Sequence, residues 1–161
     1  MKKFLIMLMF GLLLISCNNT KFQGDFINDD CNIPIIECVL GNDTVNMIVD
    51  TGAEYSLINS EYFQNNKDNF YVMNEIGTQF FGIGGVVETK VAKVINAETS
   101  LGTMTLIEQD LSSVVNSLSK YNIVGLIGSD FLQSRNYIVD YKVRKIYHYE
   151  LRDSIYGKSN N

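Results

Sequence analysis

An apolar run that stops at a carboxylate and a glycine constrains this chain more than any other feature. Met47-Ile48-Val49 reads as a buried strand, and Asp50-Thr51-Gly52-Ala53 follows it without a spacer. Strand residues hold the backbone at Asp50 rigidly, Thr51 can hydrogen-bond around it, and Gly52 lets another backbone or a ligand come close. A strand-end Asp before Gly is also the common composition of an Asx-turn, in which the side chain only closes its own loop. Taken alone, the run leaves both readings open.

The other segments alternate or run apolar in short bursts, which predicts an all-β domain. Ile33 to Leu40 reads as a strand, Gly41-Asn42-Asp43-Thr44 as a hairpin turn, and Val45 to Val49 as the strand returning to Asp50. Ser56-Leu57-Ile58 is a short strand. Thr78 to Phe81 and Val86 to Ile95 are two strands around a glycine-dense tip, Gly82-Ile83-Gly84-Gly85. Thr103 to Glu108 follows a turn at Gly102, and Ile123 to Ile127 ends at Gly128. Asn136 to Tyr141 and Lys145 to Tyr149 make a last hairpin, whose alternating tyrosines read as strand packing. Ser60 to Asn69 and Asp110 to Lys120 are each a loop or a short helix. One short C-terminal helix is expected at Ser129 to Ser134, with Ser129 or Asp130 accepting from the free amides at its start.

Composition narrows the function classes. A chain of 161 residues, 46% of them hydrophobic, suits one globular domain, here residues 31–150. No internal repeat is seen, which argues against two fused half-domains. The formal charge is −5, and no basic run of the kind that tracks phosphates occurs, so nucleic-acid binding is disfavoured. The only histidine is His148 and no close Cys/His cluster exists, so no metal site is expected. Cys31 and Cys38, seven residues apart, are either a disulfide in an oxidising compartment or two free thiols with Cys38 packed as a small hydrophobe.

The N-terminus reads as an export signal. Lys2 and Lys3 precede an apolar stretch from Phe4 to Ile15, which is shorter than the roughly 20 residues a membrane-spanning helix needs. Leu14-Ile15-Ser16-Cys17 resembles the lipobox of bacterial lipoproteins. That likeness implies a signal peptide over 1–17, lipid on Cys17, a polar tether over 18–30 and a place on the cell envelope, membrane-anchored and facing the periplasm. Residues 151–161 form a polar tail.

The order of the motifs carries more than any one of them. The strand into Asp50-Thr51-Gly52-Ala53 is followed about thirty residues later by the glycine-rich hairpin. Val124-Gly125-Leu126-Ile127-Gly128-Ser129-Asp130-Phe131-Leu132 comes next, and then Ile138-Val139-Asp140-Tyr141. This series resembles the retropepsin-like aspartic proteases over about Ile33 to Tyr149. The resemblance implies a small acid-protease barrel that is active as a homodimer, with one aspartate from each subunit. It makes Asp50 catalytic, with Thr51, Gly52 and Ala53 supporting it. Gly82, Ile83, Gly84 and Gly85 become a flap over the substrate, Glu54 a holder of substrate backbone, and Leu126-Ile127-Gly128 the strand passing beneath the active-site loop. Ser129 stands where retroviral members often carry an arginine that pairs with the acidic residue, so that pairing is absent here.

The implied chemistry is hydrolysis of peptide bonds, with no metal or organic cofactor needed. Two carboxylates brought within about 3 Å cannot both ionise, so the pair shares a proton and activates a water against the substrate carbonyl. The alternative is a lipoprotein that uses the same barrel to bind peptides or assemble without cutting them. The intact triplet favours the enzyme. The polar segment Asp153 to Asn161, which offers no interface strand, favours the binder.

Overall fold

The computed structural model describes residues 20–27, 32–82 and 85–149. The expected signal peptide with Cys17, together with Cys31, Ile83, Gly84 and the tail 151–161, lies outside the described residues. The chain order is β1 (Thr20–Asp25), β2 (Ile35–Leu40), β3 (Asp43–Val49), β4 (Leu57–Asn59), α1 (Ser60–Asn65), β5 (Tyr71–Gly82), β6 (Gly85–Thr99) and β7 (Gly102–Gln109). There follow α2 (Ser112–Ser117), β8 (Ile123–Ile127), α3 (Ser129–Ser134), β9 (Tyr137–Asp140) and β10 (Lys145–Tyr149).

Seven strands make one sheet in the order β2-β3-β8-β4-β7-β6-β5, and a further pairing of β2 with β6 at Leu40↔Thr99 closes six of them into a barrel. The closure is reinforced where Gly41 N–H donates to Glu98 O and Ser100 N–H to Val39 O, both at 2.9 Å. Alternation in β2 explains its placement: Ile36, Cys38 and Leu40 point into the core while Glu37 and Val39 face out. Gly41-Asn42 is a two-residue turn joining paired Leu40 and Asp43. Gly41 has φ +59° there, which suits glycine at the first central position of such a turn. The core is built from Ile36, Leu40, Met47, Ile58, Ile95, Met104, Leu106 and Ile127. A smaller cluster of Ile35, Ile48 and Ile123 is covered by Val114, Leu118, Tyr121 and Leu126, which come largely from α2 and the turn after it.

The structure departs from the sequence reading at three points. The stretch read as a polar tether contains β1, which pairs antiparallel with β10 in a three-stranded sheet β1-β10-β9. Its polar composition hides this, but Phe26 just after it is buried, bridges to Ile36 and meets the Tyr141 ring edge-on. β1 also covers the edge of β10 that would otherwise stay unpaired. Second, three short α-helices rather than one are present among the described residues, because Ser60–Asn65 and Ser112–Ser117, left open as loop or helix, are both helical. Third, neither Ser129 nor Asp130 caps α3. The N-cap is Gly128, without a side-chain cap bond, and both side chains are drawn instead to the loop after Asp50. Cys38 is a free, buried thiol, and burial pushes its pKa up to about 12. His148 lies half-buried on β10 with its ring 5.5 Å from that of Tyr137.

β8 positions everything that follows. It runs parallel to β3, matching Met47 with Gly125, Ile48 with Leu126 and Val49 with Ile127, and antiparallel to β4. The fit is so close that a Cβ on Gly125 would stand 2.3 Å from the Leu57 carbonyl oxygen. Because backbone rather than a flexible side chain blocks that space, Gly125→Ala is expected to cost about 3 kcal/mol of stability. Urea unfolding measures it, and an unchanged midpoint would show that β4 yields freely.

Candidate active site

Asp50 is the first residue past β3, and its main chain is fixed from both sides. Val49 N–H donates to Pro34 O at 2.8 Å and Asp50 N–H to Ile127 O at 2.9 Å. The loop then folds on its own aspartate. Gly52 N–H donates to Asp50 Oδ1 at 2.9 Å, and Ala53 N–H to Asp50 O at 3.2 Å. A Cβ on Gly52 would sit 3.3 Å from the same carboxylate oxygen, so glycine keeps that approach open. Asp50, Thr51 and Gly52 are exposed, and Ala53 is partly so. The Asx-turn reading and the chemical one are therefore compatible: the carboxylate closes its loop and still faces solvent.

The second half of the loop is joined to the start of α3. Ala53 O accepts from Ser129 N–H at 2.8 Å and from Ser129 Oγ at 2.9 Å, and Glu54 O accepts from Asp130 N–H at 3.2 Å. Gly128 permits this, since a Cβ there would lie 2.5 Å from Tyr55 C and O. Leu126, Ile127 and Gly128 thus pass directly beneath the loop, with Ile127 fully buried. Glu54 is exposed, and the Tyr55 hydroxyl hydrogen-bonds its carboxylate; that bond and the adjoining negative charge hold the phenol above its ordinary range. Ser129, standing where an arginine is often found, spends its hydroxyl on the loop carbonyls.

Gly82 ends β5 and Gly85 begins β6, and the two pair across this long hairpin, with Ile83 and Gly84 outside the described residues. Ser56 was not singled out by the sequence. It is fully buried, donates to Asp130 Oδ1 at 2.7 Å and accepts from Gly128 N–H at 2.9 Å. A lone serine at the head of the apolar pair Leu57-Ile58 was the only trace of it. No group of three His, Cys, Asp or Glu side chains able to hold a metal occurs among the described residues.

Comparison with solved structures gives distant likenesses. The EIAV protease in complex with the inhibitor HBY-793 is 20% identical, covering 67% of this chain and 93% of that one, with a TM-score of 0.44. The retropepsin-like aspartic protease from Rickettsia conorii is 17% identical, covering 81% and 91%, with a TM-score of 0.42. The retroviral protease-like domain of Ddi1 from Leishmania major is 13% identical, covering 74% and 92%, with a TM-score of 0.38. No curated protein matches this chain. The family model for retroviral aspartyl protease matches residues 31–139, the stretch that contains the Asp50 loop, the strand β8 beneath it and the β5–β6 hairpin. By that match the chain belongs to the retroviral aspartyl protease family.

Proposed function

We propose that this protein is an aspartic endopeptidase that works as a homodimer, each subunit supplying one Asp50. The supporting observation is the loop itself: an exposed carboxylate at the end of β3, the backbone there held by Pro34 O and by Ile127 O of β8, and its Oδ1 anchored by the Gly52 amide. Such fixing is what a group needs to deliver a proton in a set direction without reorganising. One chain carries one such loop, so the second carboxylate comes from a second copy, and Thr51, exposed beside Asp50, braces loop against loop in that dimer.

In the dimer the two carboxylates hold one proton between them. The ionised one takes a proton from a water while the neutral one donates to the scissile carbonyl oxygen. The water attacks the carbon, and the gem-diol collapses as a proton passes to the departing nitrogen. The reaction calls on carboxylates and water alone. Glu54 holds substrate backbone, and the β5–β6 hairpin closes over the peptide.

We propose further that the enzyme is held on the cell envelope. The dibasic start, the short apolar run and Leu14-Ile15-Ser16-Cys17 support lipid on Cys17. Tethering raises the effective concentration of subunits and so favours a weak dimer. Labelled palmitate fed to producing cells is expected to enter the wild-type protein and not Cys17→Ser; equal labelling of both would place any lipid elsewhere.

A diverse peptide library incubated with the full-length protein in detergent from pH 3 to 8 tests the chemistry. Cuts by wild type that vanish in Asp50→Asn, with a bell-shaped profile on the acid side and rates rising faster than protein concentration, are expected. No cuts at high protein concentration would turn the reading to the non-catalytic peptide-binding lipoprotein.

A further inference from the structure

We infer that Ser56 and Asp130 are a positioning pair for the loop segment Ala53–Tyr55, governing how tightly substrate is held and leaving the bond-breaking step to Asp50. This rests on the peptidase reading above. The two halves of the loop meet the end of β8 and the residues just after it through separate hydrogen bonds. Val49 is held by Pro34 O, Asp50 by Ile127 O and Gly52 by the Asp50 carboxylate, through bonds that involve neither Ser56 nor Asp130. The second half depends on the start of α3, which takes up the carbonyls of Ala53 and Glu54.

What fixes that start is the bridge through the buried Ser56 hydroxyl to half-buried Asp130. Ser56 is at 0% exposure, so its hydroxyl must find partners within the protein. It carries one proton; donating that proton to Asp130 Oδ1 leaves lone pairs for the Gly128 amide. The carboxylate makes this a charge-assisted bond, stronger than one between neutral groups. Asp130 therefore reaches back from α3 to the residue that ends the loop, and Gly128, at the head of α3, is held by the same hydroxyl. Removing the bridge frees Ala53–Tyr55, which carries Glu54, and leaves Asp50 in place. The expected signature is a raised KM at nearly constant kcat. A general loss of stability has the opposite signature, lowering the active fraction and hence apparent kcat at constant KM.

The test uses the full-length protein. Asp130→Ala and Ser56→Ala remove the bridge, while Asp130→Asn keeps an acceptor oxygen and Ser56→Thr keeps the hydroxyl. Amide hydrogen exchange by NMR should show the Gly128 and Ser129 amides exchanging about tenfold faster in the alanine variants. The conservative variants should restore protection, with the Asp50 and Gly52 amides unmoved in all four. This readout needs no activity, so it is decided separately from the peptidase reading. On a cleaved peptide, the alanine variants should raise KM about tenfold with kcat within about threefold. Should both alanine variants fail to fold, Ser56→Cys, with its weaker donor and acceptor, carries the same comparison. Unchanged Gly128 protection, acceleration spread evenly over all amides, or a kcat loss at constant KM would overturn the pair's role.

Discussion

The close passage of β8 between β3 and β4 is the constraint from which the rest of the structure follows. Parallel pairing with β3 puts Ile127 O in reach of the Asp50 amide, so the aspartate's backbone is fixed by a strand that arrives more than seventy residues later. Antiparallel pairing with β4 brings the other end of the loop to the same strand. The Asp50 loop is thus clamped at both ends by one central strand, and glycines at 125 and 128 are the condition for that closeness.

The clamp also sorts the loop's polar groups. Carbonyls of Ala53 and Glu54 turn inward to α3, and the buried Ser56 hydroxyl joins Gly128 to Asp130. The side chains of Asp50, Thr51 and Glu54 are left facing solvent. A backbone whose hydrogen-bonding groups are already committed can present a carboxylate in one orientation, the property that general acid–base chemistry requires. The short Ser129 hydroxyl reaches the Ala53 carbonyl directly and adds to the clamp.

Much of this was legible in the sequence because short-range patterns coincide with the tertiary demand. Ile123 to Ile127 and Lys145 to Tyr149 stand where their apolar spacing put them, and the run into Asp50 announced the loop. β1 was not legible. Its residues are polar, and its pairing is decided by an edge of β10 some 120 residues away. The helices Ser60–Asn65 and Ser112–Ser117 are too short for their periodicity to separate helix from loop. Ser129 and Asp130 looked like caps because their side chains suit that role; long-range partners at Ala53 and Ser56 outbid the local one, and no local pattern encodes such partners.

The central claim is that two Asp50 carboxylates from two subunits act as one unit. Mixing tests it most directly: a fixed amount of wild-type protein, at a concentration where it cuts peptide, is titrated with inactive Asp50→Asn protein and allowed to exchange subunits. If both carboxylates are needed, activity falls steadily as mixed dimers form and approaches zero in large excess of the variant. Activity that stays constant across the titration would contradict the shared site and show that one chain suffices.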